Sequence, residues 1–232
     1  MLRNWEKLPV FMRNDAVRPY YEILAKKRCA LFCKRVVDIF IALVLLIICS
    51  PVLCILALCV RLDSPGPVFF RQERVTQYGK RFRIFKFRTM VDKAEQMGTQ
   101  VTVDHDPRIT RVGKKMRGLR LDELPQLLNV LTGDMTFVGA RPEVPRYVER
   151  YTDEMKATLL LPAGITSLAS IQFKDEDELL KQGDPDTVYL NTILPQKMRY
   201  NLEYLSRFGI GYDFSLMIHT ITAVFRRSEK AA

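Results

Sequence analysis

Residues 39–60 read IFIALVLLIICSPVLCILALCV, 22 residues without a charge, interrupted only by Ser50-Pro51. At about 1.5 Å per residue a straight helix of this length crosses a bilayer. It is not a secretory signal: a long polar and charged stretch precedes it and no small-residue cleavage site follows. Two readings compete. A single spanning helix is the simpler. Against it, Pro51 removes a backbone donor and clashes with the preceding turn, so a kink is expected near the middle. Ser50 can satisfy a freed carbonyl within lipid. The two arms then measure roughly 18 Å and 13 Å, about one leaflet each.

The flanking charge bears on the same choice. Lys26, Lys27, Arg28, Lys34 and Arg35 precede the run; Arg61, Arg71, Arg74, Lys80, Arg81 and Arg83 follow it. An asymmetry of Lys and Arg orients a spanning helix, and here both flanks favour the cytoplasmic side. A helix-break-helix that enters and leaves by one face meets both demands, and on these grounds the two forms are balanced. Asp38, at the start of the run, is placed to pair with Lys34 at i,i+4, a structural role.

The chain has 232 residues, with 36 Lys and Arg against 26 Asp and Glu, a net charge of +10. That length suits one catalytic domain with accessory segments, and the charge calls for anionic partners: nucleic acid, lipid headgroups or phosphorylated substrates. All five cysteines lie before residue 60, with no CxxC pair and two histidines in the chain. Zinc and a disulfide framework are therefore not expected, and the cysteines read as small apolar residues beside lipid.

After Arg61 the breakers Asp63-Ser64-Pro65-Gly66-Pro67 make a turn. The segments VFFRQERV and KRFRIFKFRTM, joined by a turn at Tyr78-Gly79, predict two short strands with a basic face. Residues 92–107 predict a short helix and a polar loop, in which His105 is solvated rather than a metal ligand. Residues 108–119 predict a basic helix or turn.

The most informative stretch is LDELPQLLNVLTGDMTFVGARPEVP, residues 121–145. Leu124, Leu127, Leu128 and Leu131 form one apolar helical stripe. Pro125 is tolerated only in a first turn, so the helix begins near Asp122 and Gly133 ends it. Asp122, Gln126 and Asn129 share the opposite face, with Glu123 on its flank. Two adjacent carboxylates at a helix start would be held ionised by the dipole and free amides. An isolated Asp-Glu there reads as a cap. The arginines Arg117, Arg120 and Arg141 that bracket this pair change the balance, because helix starts among arginines suit phosphate and a divalent cation bridging to it. Beyond residue 143 the sequence predicts a helix over 144–160, a strand in GITSLASIQF, a solvated acidic stretch at 174–186, a charged helix over 195–207 and an amphipathic helix over 213–227, which either packs on the core or lies in the interface.

KRVVDIFIALVLLIICSP, DSPGPVFFRQERVTQYGKRFRIFKFRTM, the 121–145 stretch and PAGITSLASI together resemble the bacterial sugar transferase family, the monotopic phosphoglycosyl transferases that act on undecaprenyl phosphate. The resemblance runs from about Lys34 to Phe225. It implies an α+β, helix-rich fold with a re-entrant membrane helix broken at Ser50-Pro51, a small cytosolic catalytic domain and interfacial amphipathic helices. On this reading residues 1–33 are an amphipathic, basic segment, 34–62 the re-entrant helix, 63–227 the catalytic domain and 228–232 a tail, the length of the small single-domain members. The catalytic pair falls on Asp122 and Glu123. Asp122 is then the nucleophile on the β-phosphate of a UDP-sugar, releasing UMP, and Glu123, with Asp122, holds Mg²⁺. Arg88 and Arg141 match family arginines and, with Arg117 and Arg120, are assigned to phosphate. The implied partners are a UDP-sugar, undecaprenyl phosphate and inner-membrane lipids, with the catalytic domain on the cytoplasmic side. Many relatives read RPGITG where this chain has LPAGITS, so no role is carried to that loop. The other classes considered are a membrane-tethered nucleic-acid binder, for which no binding module is present, and a membrane scaffold. Nucleic acid is therefore not an expected partner.

Overall fold

Helix α2, Arg28–Asp63, carries the whole apolar run through Pro51. The computed structural model describes residues 2–94, 97, 106–173, 179–180 and 183–231, with side chains to residue 223. His105 and most of the acidic stretch expected at 174–186 lie outside the described residues. The most apolar 18 residues of α2 have a mean hydropathy of 3.2 and are almost wholly uncovered by protein. From Leu43 to Cys59 no residue of α2 is buried. Ser50 Oγ donates to the Ile47 carbonyl at 2.8 Å, satisfying an acceptor beside the proline.

Both ends of α2 are fastened to one body. Near the start, Arg35 donates to the carbonyls of Val130 and Leu131 at 2.6 and 3.1 Å. Near the end, the Val112 amide donates to Asp63 Oδ2 at 3.1 Å, and Val60 packs with Phe87 and Met116. A buried polar cluster also ties the first arm down. Lys34 Nζ lies 2.6 Å from Asp213 Oδ2 and 3.7 Å from Asp38 Oδ2. Asp38 accepts from Thr136 Oγ1, and Tyr204 donates to Asp213 at 2.8 Å. The i,i+4 pairing of Lys34 with Asp38 is present, but Asp213 is the lysine's nearer partner.

The basic strand region forms four short pieces: β1 (Phe69–Phe70), β2 (Glu73–Val75), β3 (Arg81–Arg83) and β4 (Lys86–Phe87). β1 pairs with β4 and β2 with β3, both antiparallel, as one hairpin interrupted around Gln72 and Ile84. The turn at Tyr78-Gly79 is as expected, with φ of 61° and 76°. α3 spans Arg111–Gly118 and α4 spans Gln126–Thr132, where Gly133, φ 87°, is the left-handed C-cap. β5 (Met135–Val138) pairs in parallel with β6 (Ala163–Thr166). Gly139 and Gly164 let these backbones touch, since a Cβ on Gly164 would fall 2.3 Å from the Gly139 amide nitrogen.

Two sequence expectations are corrected here. The helix predicted over 144–160 is instead α5 (Pro145–Val148) and a 3₁₀ turn at Met155–Leu160, because Thr152 Oγ1 accepts from the Met155 amide at 3.3 Å and restarts the chain. The strand predicted in GITSLASIQF stops at Thr166, where Ser167 Oγ accepts from Ser170 N at 2.9 Å and caps α6, Leu168–Gln172. Further α-helices among the described residues are α1 (Arg18–Ala25), α7 (Pro185–Val188), α8 (Leu194–Arg207) and α9 (Ile210–Ala231). The last two contain the helices expected over 195–207 and 213–227. α9 packs on α2, β5 and α6, and leaves Phe214, Ile218 and Ile221 exposed.

Candidate active site

The pair Asp122-Glu123 lies in a 3₁₀ turn, Leu121–Glu123, entered through Arg120 in the left-handed region at φ 54°. α4 follows with Pro125 at its N-cap and no side-chain capping hydrogen bond. The capping role open to this pair is therefore not taken. α4 is rotated from what its leucines suggest: of the stripe only Leu127 is buried, together with Gln126, Asn129 and Val130, while Leu124, Leu128 and Leu131 are half-buried. The polar face is inward because it has work there. Asn129 Oδ1 accepts from Phe85 N at 2.8 Å, and its Nδ2 donates to the Arg83 carbonyl at 3.2 Å. This amide fixes the hairpin against α4 and directs Lys86, on β4, at Glu123.

Glu123 is gripped from three sides. Arg141 Nη2 donates to Oε1 at 2.7 Å and Nη1 to Oε2 at 3.2 Å, a two-pronged pair. Lys86 Nζ donates to Oε1 at 3.0 Å, and Arg120 Nη1 lies 3.9 Å away. Burial by itself would raise the Glu123 carboxyl, but Arg141 and Lys86 outweigh it and hold the group well below the usual carboxylate range. The Arg141 guanidinium is raised in return, chiefly by Glu123. Lys86 moves the other way: burial lowers its ammonium, with Glu123 opposing.

Asp122 behaves differently. It is 8% exposed, and among the described residues no other side chain donates a hydrogen bond to it. Burial pushes its carboxyl up, opposed first by the charge of Lys86 and reinforced by that of Glu123. The expectation that the helix start keeps both carboxylates ionised thus holds for Glu123, and through side chains rather than the helix; for Asp122 burial works against it. Two adjacent carboxylates pushed apart in this way are suited to different roles. Gln126, one turn on, is fully buried, and neither its Oε1 nor its Nε2 has a partner among the described residues.

The structure brings Asp122, Glu123, Arg120 and Arg141 together. Arg117 is close enough for its charge to lower the Asp122 carboxyl, and its Nε donates to Thr89 Oγ1 at 3.0 Å. Arg88 is engaged elsewhere: its guanidinium donates to the carbonyls of Ser64 at 2.7 Å, Val60 at 3.4 Å and Pro65. It clamps the end of α2. Lys86 was not singled out from sequence; its signal is the alternation Phe85-Lys86-Phe87, which turns the lysine away from its aromatic neighbours. Ser50 and Pro51 lie in the exposed middle of α2.

The bacterial sugar transferase family model matches residues 29–227, and the chain belongs to that family. A UDP-glucose:undecaprenyl-phosphate glucose-1-phosphate transferase of Escherichia coli K12 is 37% identical over 193 residues, covering 81% of this chain and 39% of that protein. A UDP-N-acetylgalactosamine-undecaprenyl-phosphate N-acetylgalactosaminephosphotransferase of Aeromonas hydrophila is 35% identical, covering 83% and 44%. A putative undecaprenyl-phosphate N-acetylgalactosaminyl 1-phosphate transferase of Bacillus subtilis is 44% identical over 152 residues, covering 65% and 85%. The chain thus spans less than half the length of the first two and most of the third.

Proposed function

We propose that this protein moves a sugar-1-phosphate from a UDP-sugar to undecaprenyl phosphate, with Asp122 as nucleophile, as the first membrane step of a bacterial glycan. The observation that carries the reading is the unlike state of the two carboxylates. Glu123 is locked by Arg141 and Lys86, while Asp122 has no competing side-chain donor among the described residues and is held in a buried pocket of net positive charge. An Asp122 Oδ attacks the β-phosphorus, the bond from that phosphorus to the bridging oxygen breaks, and UMP leaves with the electron pair. A phosphate oxygen of undecaprenyl phosphate then attacks the same phosphorus and displaces the Asp122 carboxylate, giving undecaprenyl-diphospho-sugar. Arg141, Lys86 and Arg120 are placed to offset charge on the diphosphate.

The residues fit Mg²⁺ in a shared manner: Asp122 offers a carboxylate without a cationic hydrogen-bond partner, Glu123 offers oxygens already shared with Arg141 and Lys86, and substrate phosphates would complete the set. Bound there, the ion would neutralise diphosphate charge. Arg88 acts through position, holding the end of α2 beside β4, rather than through phosphate.

A re-entrant α2 is supported by the fastening of both its ends to one body, Arg35 at one and Asp63 at the other. A straight helix across the bilayer would part these ends by more than a membrane core. On this reading the exposed Phe214, Ile218 and Ile221 of α9 lie in the interface, and the basic flanks favour the cytoplasmic side of the inner membrane for the catalytic body. Purified protein given Mg²⁺, undecaprenyl phosphate and a panel of UDP-sugars should convert at least one donor to UMP and a lipid-linked diphosphate sugar. No turnover of any donor would reject the reading.

A further inference from the structure

We propose that the N-terminal segment completes a second lipid site, a cleft that holds the phosphate headgroup of an anionic membrane lipid away from Asp122-Glu123. Residues 2–27 precede the family match, which starts at residue 29, yet they are built into the body. Met12, Val17 and Leu24 have no exposed surface. The segment grips the tip of the β2–β3 hairpin. The Arg3 amide donates to the Tyr78 hydroxyl at 2.8 Å, and the Arg3 guanidinium lies over the Tyr78 ring at 4.5 Å. Phe11 packs so closely on Gly79 that a Cβ there would fall 2.8 Å from its ring.

Between segment and hairpin opens a cleft of about 550 Å³, lined by Arg3, Thr76, Gln77, Tyr78, Lys80 and Gly133. That volume accommodates a headgroup. Its charge is positive. Arg3 and Lys80 line it, and the Arg35 guanidinium stands beside Gly133, 3.3 Å from where a Cβ would be. Asp134 pairs with Lys80 at 2.9 Å and accepts from Thr132 Oγ1 at 3.0 Å. Among the described residues no ion pair joins Arg3 or Arg35 to a carboxylate.

The cleft also sits at the right depth. Arg35 precedes Ile39, the first residue of the apolar run, by one helical turn, about 6 Å along the axis. Gly133 therefore lies near the headgroup layer, which adds roughly 5–8 Å to each side of the hydrocarbon core. Phe11, which packs on Gly79 between the lining residues Tyr78 and Lys80, is 44% exposed, and its chain neighbour Val10 is 77% exposed. Apolar side chains beside a cationic cleft are the chemistry of a lipid–water interface, and a dissolved phosphate would have no use for them.

The test is native mass spectrometry of the full chain in detergent with phosphatidylglycerol or phosphatidylcholine, which reads binding and not turnover, so it stands or falls apart from the transferase reading. The wild type should retain phosphatidylglycerol and not phosphatidylcholine. The pair Arg3→Gln and Lys80→Gln should lower retention about tenfold or more, and Val10→Ser with Phe11→Ser should also weaken it, while Arg150→Gln, an exposed charge outside the cleft, should not. Equal retention of both lipids, wild-type retention by the Arg3/Lys80 variant, or displacement of the lipid by millimolar inorganic phosphate would overturn the proposal.

Discussion

Arg141 closes on Glu123 through both of its terminal nitrogens, at 2.7 and 3.2 Å, and with Lys86 makes Glu123 the fixed member of the carboxylate pair. Replacing Glu123 with Gln strands two largely buried cations. The expected cost is on the order of 3 kcal/mol, with turnover lost as well. Arg141→Lys keeps the charge but loses the fork, so it should destabilise less and still cut turnover at least tenfold. Thermal unfolding in detergent and UMP release measure the two effects; a Glu123→Gln protein as stable as wild type would contradict the geometry.

Asp122→Asn should abolish turnover and raise thermal stability. The sign follows from burial, which raises the Asp122 carboxyl in the folded chain. Its protonated form is favoured by folding, a contribution present in full below the unfolded value and lost as pH rises through the folded one. At neutral pH the ionised group is therefore a burden that asparagine removes. The nucleophile must be ionised, so kcat/KM should fall as pH drops through a value above that of an ordinary aspartate. Glu123, held low by Arg141 and Lys86 against its burial, contributes stability present above its unfolded value and lost only in stronger acid. An acid limb at the ordinary aspartate value would contradict this assignment.

The stretch 121–145 made the helix legible, because Pro125 and Gly133 bound it, although it starts at Gln126 and the pair lies in a 3₁₀ turn before it; of the three arginines around the pair, Arg117 and Arg120 stand just before the stretch and Arg141 within it. The direction in which α4 faces was not legible. Its leucine stripe points to one burial pattern, but Asn129 satisfies two backbone groups of a hairpin distant in sequence, and that long-range contact turns the polar face inward. Lys86 was missed for the same reason. Arg88, assigned to phosphate by resemblance, also donates to carbonyls at the end of α2, a contact that motif spacing does not reveal. The break between α5 and the Met155–Leu160 turn goes with a local contact, the Met155 amide donating to Thr152 Oγ1, that apolar spacing does not reveal.

Lys34 holds Asp213 and Asp38 in a buried cluster that joins α2, β5 and α9. Lys34→Met leaves two buried carboxylates without their cation and should cost roughly 3–5 kcal/mol. Lys34→Met combined with Asp213→Asn should recover part of that loss. Unfolding in detergent reads both, and an unchanged midpoint for the single variant would show that the cluster does not hold the helix.

If α2 re-enters by the face it left, its two ends share one side of the membrane. In a background where the native cysteines are serine, single cysteines at Phe32 and Leu62, both exposed, should react with a membrane-impermeant maleimide from the same side of sealed vesicles. Labelling from opposite sides would restore the spanning helix.

The most direct test of the central claim omits the lipid acceptor. Protein given Mg²⁺ and a UDP-sugar that it turns over should release about one UMP per active site in a single burst, the signature of a covalent intermediate, and carry a phosphosugar on Asp122 by peptide mass spectrometry. Release of UMP only after undecaprenyl phosphate is added, with Asp122 unmodified, would contradict the account.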